Sequence, residues 1–174
     1  MKELILGGVR SGKSRLAEQH ARDSALEVVY IATARAGDDP GLQERVRLHR
    51  ASRPAQWPVV EAPLALADAL RANAAASRCL LVDCLTLWLT NLLLEEDSAV
   101  LGREREELMR TVPQLPGRLI LVGNETGLGV VPLGELSRRF VDEAGSLHQH
   151  LAQACDRVIF TVAGLPHYLK GNPQ

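Results

Sequence analysis

The 20 lysines and arginines of this 174-residue chain stand against 21 aspartates and glutamates. That length suits one domain, residues 1–174, and the even balance leaves no net field to gather a polyanion, which argues against nucleic acid or an acidic membrane face as partner. The most apolar stretch, "CLLVDCLTLWLTNLLL", is broken by Asp83 and Asn91 and falls short of the roughly 20 residues of a bilayer span. "MKELILGG" lacks the roughly 7–15 apolar residues of a secretory leader, so a cytoplasmic protein is expected.

The first apolar run, "ELILGG", reads as a strand and leads straight into "GGVRSGKSRLAEQ". Gly7, Gly12, Lys13 and Ser14 fit G-x-x-x-x-G-K-[ST], placed where it must be, after a strand and at the opening of a helix. Glycines let backbone amides turn around phosphates, Lys13 reaches the β and γ groups, and the Ser14 hydroxyl is a ligand for Mg²⁺. His20, late in that helix, suits its dipole. "EVVYIAT" is the second strand, and the turn-rich "ARAGDDPG" follows it, at the strand end where open α/β sheets hold ligands.

Next comes "QERVRLHRASRPAQWPVVE", in which His49 stands among Arg45, Arg47, Arg50 and Arg53. Forked guanidinium donors suit a polyphosphate, and their charge favours the neutral, nucleophilic imidazole. An exposed helix with scattered arginines fits the same residues. "EAPLALADALRANAAAS" reads as a helix with Pro63 near its first turn.

"CLLVDCL" is a third strand ending at Asp83, placed either to serve a metal at the phosphates or to cap the next helix. Cys79, Cys84 and Cys155 make no CxxC pair and read as reduced core residues. Segment 98–112 is charged and reads as an exposed helix or lid-like hairpin. "RLILVGNE" and "RVIFTVAG" are further strands. Between them, Leu133, Leu136, Phe140, Ala144, Leu147, Leu151 and Cys155 recur every three or four residues and mark a helix over 133–155. His148 and His150 lie two apart on it, too divergent to share a metal, and read as solvated. Continuous apolar strands alternating with helices predict a doubly wound, mostly parallel α/β domain of the P-loop type.

Taken in order, "GGVRSGKSRLAE", "VVYIATA", "RVRLHRASRPAQW", "VDCLTLWLTNLL", "GNETGLGVVP" and "GLP" resemble the bifunctional adenosylcobinamide kinase/adenosylcobinamide-phosphate guanylyltransferase family of cobalamin biosynthesis, over nearly the whole length. The resemblance implies phosphorylation of adenosylcobinamide by ATP or GTP. It then implies transfer of GMP from GTP, through a histidine, to adenosylcobinamide phosphate. By matching position the family's nucleotide contacts fall on Gly7, Gly8, Val9, Arg10, Ser11, Gly12, Lys13 and Ser14, on Thr33, Ala34 and Arg35, on Arg50, Ala51, Ser52 and Arg53, and on Glu61 and Asp83. Lys13 and His49 would be catalytic, and Ser14 and Asp83 would face Mg²⁺. Relatives often carry two adjacent histidines; here Leu48 takes the first place, which leaves His49 as the candidate nucleophile of the segment. Asn124 and Glu125 stand out in "GNETGLGVVP" as substrate or neighbouring-subunit contacts, and a homo-oligomer, a trimer, is implied. A monofunctional small-molecule kinase or a nucleotide-driven switch would share the phosphate loop and leave His49 idle.

Overall fold

A computed structural model of the protein describes residues 1–35 and 54–173. Strands β1 (Lys2–Gly7), β2 (Glu27–Ala32), β3 (Val59–Glu61), β4 (Arg78–Asp83), β5 (Arg118–Asn124), β6 (Arg157–Val162) and β7 (Leu165–Lys170) form one sheet in the order β3-β2-β4-β5-β1-β6-β7. Every pairing is parallel except β6 with β7. The described helices are α1 (Lys13–Asp23), α2 (Leu66–Asn73), α3 (Leu85–Leu93), α4 (Ala99–Thr111) and α5 (Glu135–Ala154).

Strand parity divides the core. Leu4, Leu6, Val29, Ile31, Leu80 and Val82 face the side covered by α2 to α5, with Trp88 and Leu108 fully buried among them. Ile5, Val28, Tyr30, Leu81 and Ile120 face the other side, under Ala17 and Ala21 of α1 and Trp57. Both faces of the central strands are dry, which is why they read as unbroken apolar runs. Burial pushes the thiols of Cys79 and Cys84 up to about 11 and of Cys155 up to about 12, and all three are free. They behave as inert core groups, as their spacing implies.

Several boundaries differ from the sequence reading. The expected helix at 61–77 is only α2, because Glu61 ends β3 and Pro63 keeps the residue before it extended. Strands β3 and β7 were not expected: one is three residues long, and the other, "LPHYLK", is an exposed edge without an apolar run. Segment 98–112 is a helix, α4. The expected apolar stripe of 133–155 is buried only from Ala144 onward; Leu133 is 95% and Leu136 52% exposed.

Candidate functional site

Residues 7–14 form a phosphate loop whose backbone is set by sterics. A Cβ at Gly7 would lie 2.5 Å from the carbonyl oxygen of Thr161, a contact no backbone can absorb. Gly12, at φ +96, occupies the left-handed region and starts α1. Arg10 holds φ 56, a conformation rare for a side-chain-bearing residue and one that keeps Val9 and Arg10 at an exposed tip. The loop is tied at both ends: Ser11 N–H donates to the Gly8 carbonyl at 3.2 Å, and the Gly164 N–H donates to the Ser11 carbonyl at 2.8 Å.

Lys13 turns back into the loop and donates from Nζ to the Gly8 carbonyl at 3.0 Å. Burial lowers its pKa, while the charges at Asp83 and Cys84 pull the other way. Two buried hydroxyls at the loop, Ser11 Oγ and Thr161 Oγ1, have no hydrogen-bond partner among the described residues. Buried polar groups are rarely left so.

Parallel register brings the other candidates to the same edge. Gly7 is level with Asn124 and with Thr161, Asp83 is level with Val122 and with Ala32, and Ala32 is level with Glu61. Asp83 accepts from the Tyr30 hydroxyl at 3.1 Å. The residue at the start of α3 is Cys84, which provides no side-chain cap. Thr33 is fully buried and closes a reciprocal bridge with Cys84: its hydroxyl donates to the Cys84 carbonyl at 2.7 Å and accepts from the Cys84 N–H at 2.9 Å. Asn91 adds a bond to the Thr33 carbonyl at 2.8 Å, so the Thr33 side chain is engaged in joining the ends of β2 and β4. Arg35 pairs with Glu95 at 2.8 Å, just past Ala34. Glu61 is exposed on the sheet's outer strand, four strand spacings or about 19 Å from Gly7. Arg45, Arg47, His49, Arg50, Ala51, Ser52 and Arg53 lie outside the described residues.

Two features were missed in the sequence. His148, read as solvated, is 8% exposed. Its ring lies over Gly123, where an added Cβ would come within 3.0 Å of Nε2. The two-residue spacing from His150 correctly separates their faces, but only the packing of α5 on β5 tells which one is inside. His20 does more than complement a dipole: its Nδ1 is 2.7 Å from Oε1 of the fully buried Glu3.

A strand, a glycine loop and a helix holding a buried lysine, with an aspartate two strands away at the same sheet edge, define a P-loop nucleotide-binding α/β protein. Solved structures agree on the fold. The Pyrococcus horikoshii OT3 protein PH0250 matches 99% of this chain and 87% of its own at a TM-score of 0.54 and 11% identity. An ATPase of a bacterial type III secretion system matches 96% of this chain and 56% of its own at a TM-score of 0.55 and 11% identity. The chain belongs to the cobinamide kinase / cobinamide phosphate guanyltransferase family, whose model matches residues 3–169. It is 66% identical to the bifunctional adenosylcobalamin biosynthesis protein CobP of Pseudomonas aeruginosa, over 99% of both chains. It is 37% identical to the corresponding CobU of Salmonella typhimurium, over 95% of this chain and 97% of that one.

Proposed function

We propose that this protein phosphorylates adenosylcobinamide with ATP or GTP and then passes GMP from GTP to adenosylcobinamide phosphate, giving adenosylcobinamide-GDP and pyrophosphate. The observation that carries this reading is the complete phosphate loop within a family match spanning residues 3–169. In the first reaction the loop amides and Lys13 hold the β and γ phosphates while the substrate hydroxyl displaces the nucleoside diphosphate. In the second, His49 forms a bond to the α-phosphorus of GTP as pyrophosphate leaves, and the phosphate oxygen of adenosylcobinamide phosphate then displaces the histidine. One loop serves both, since the groups it grips are the transferred and adjacent phosphates in one case and the leaving group in the other.

The Ser14 hydroxyl and the Asp83 carboxylate are hard oxygen donors and fit Mg²⁺, which commonly takes one or two protein oxygens and completes its shell with phosphates and water. Bound there, it neutralises charge on the phosphate oxygens. A homo-oligomer, a trimer on the family pattern, is supported by the exposed apolar run of Leu128, Val130, Val131 and Leu133; light scattering checks it, and a monomer at every concentration removes it. No described helix is long and apolar enough to cross a membrane.

The deciding experiment uses GTP radiolabelled at the α-phosphate, with and without adenosylcobinamide phosphate. Label should remain on the denatured wild-type protein, withstand base, be released by acid, and transfer to the corrinoid. His49→Ala should carry none while still phosphorylating adenosylcobinamide. Equal acid-labile label on that variant would move the nucleophile to another histidine.

A further inference from the structure

Between the residues after β5 and the face of α5 lies an open cleft of about 480 Å³, with Glu125, Gly127, Val141 and Ser146 in its walls. Glu125 is the first residue past β5, and its backbone N–H donates to the carbonyl of Gly7 at 3.1 Å. The side chain therefore starts from a point fixed against the phosphate loop. The preceding residue is pinned too, by a 2.8 Å bond from the Asn124 N–H to the Thr86 hydroxyl. β5 itself lies between β1, which carries the loop, and β4, which carries Asp83.

The two oxygens of Glu125 are unlike. Oε1 accepts from the Gly127 N–H at 2.6 Å, which fixes the carboxylate plane. Oε2 accepts no hydrogen bond among the described residues and stands 3.7 Å from Nδ1 of His148. That Nδ1 is buried and has no hydrogen-bond partner among the described residues. A buried ring nitrogen aimed at a carboxylate it does not quite reach is costly in a resting fold. Burial holds the His148 pKa below its ordinary value, against the pull of Glu125, and so favours the uncharged ring, which carries one N–H.

We propose that Glu125, oriented by His148, is the general base of the phosphoryl-transfer step, the cleft beside it admitting the alcohol arm of the acceptor. This rests on the kinase half of the reading above and goes beyond it, in naming the group that takes the proton. The alcohol oxygen bonds to the γ-phosphorus, and its O–H bond breaks as the proton passes to Oε2. The bond from the γ-phosphorus to the bridging oxygen breaks at the same time, and the nucleoside diphosphate leaves with that electron pair. As the base becomes protonated, an imidazole that burial keeps towards its uncharged form holds the carboxyl in place without opposing its neutralisation. The other acids are less suited. Asp83 is turned to Tyr30 and towards Lys13, and Asp142, also in the cleft wall, is exposed on α5.

The test is steady-state phosphorylation of adenosylcobinamide by the full chain, with enzyme–GMP labelling measured on the same preparations. Glu125→Gln should lower kcat for phosphorylation by about 10²–10⁴-fold, with KM for adenosylcobinamide and the extent of GMP labelling changed far less. Glu125→Asp, which keeps a carboxylate, should recover part of the loss. For the positioning role, His148→Gln should retain more kcat than His148→Leu, at similar KM. Phosphorylation by Glu125→Gln within a few-fold of wild-type overturns the proposal; so does an equal collapse of labelling and phosphorylation, which would make Glu125 a support of the loop, or a comparable loss in Asp142→Asn alone. A wild-type protein that consumes no nucleotide with adenosylcobinamide overturns the kinase reading itself, a different result from an active enzyme indifferent to residue 125.

Discussion

At the amino-terminal end of the sheet Glu3 is fully buried and meets His20 at 2.7 Å, Arg157 at 2.9 Å and Arg118 at 3.9 Å. At the carboxyl-terminal end Ser11 Oγ, Thr161 Oγ1 and His148 Nδ1 are buried and have no hydrogen-bond partner among the described residues. Among the described residues only Arg118 Nε is left unmatched at the first end, and the same guanidinium faces Glu3 through another nitrogen. One sheet thus carries two polar clusters of opposite design. The first is closed on itself and joins β1, β5, β6 and α1 where no ligand is expected; the second is left open around a loop built to receive phosphate.

The largest effect should come from opening the closed end. Glu3→Gln keeps the shape and removes the charge, leaving Arg157 and Arg118 buried without a counter-ion, which costs about 3–5 kcal/mol of stability and lowers Tm by about 10 °C. Chemical denaturation reads the loss, and both activities per folded molecule should survive. Burial alone would raise the pKa of Glu3, but His20, Arg118 and Arg157 overcome it and hold it below its ordinary 4.5. Its folded value is therefore the lower one. The stability it contributes is complete above 4.5 and drains away as pH falls from there through the folded value, and this acid-sensitive share should vanish in Glu3→Gln. A variant as stable as wild-type would break the contrast between the two ends.

Lys13→Ala tests the open end. Losing the cation at the β and γ phosphates should lower both phosphorylation and GMP transfer by about 10²–10³-fold with little change in denaturation, the reverse of the Glu3 result. Near wild-type turnover in either reaction would separate the two activities into different sites.

The open end was the more legible of the two in the sequence, because its chemistry is local. Gly7 to Ser14 form one unbroken motif, and Asp83 announces itself by ending an apolar run. The closed end joins residues 3, 20, 118 and 157 through parallel register, for which no local pattern exists. The same limit hid His148: helical periodicity set it apart from His150, but its burial depends on Gly123 making room on β5. It also misplaced Leu133 and Leu136, which continue the apolar spacing but stand exposed.

A smaller effect is expected from Asp83→Asn. The amide oxygen can still accept from the Tyr30 hydroxyl, so folding should hold, while the loss of charge should raise the Mg²⁺ concentration for half-maximal turnover by about tenfold, or 1.4 kcal/mol. An unchanged Mg²⁺ titration would return Asp83 to a purely structural bond with Tyr30.

Thr161→Val should give the smallest shift and the only one of favourable sign. Thr161 is fully buried, level with Gly7 in the β1–β6 register, and its hydroxyl has no hydrogen-bond partner among the described residues. Valine has nearly the same volume and suits a strand, so the exchange removes an unsatisfied donor and leaves the packing against Gly12 in place. A gain of about 1 kcal/mol in denaturation follows, because a desolvated hydroxyl without a hydrogen bond gives nothing back. The same variant should bind nucleotide more weakly than wild-type if the hydroxyl is held for the loaded state, and calorimetry with GTP reads that directly. Stability and affinity moving in opposite directions would establish the open end as a ligand-ready cluster; a loss of stability would mean that Thr161 is already satisfied, and that the two ends of the sheet are more alike than they look.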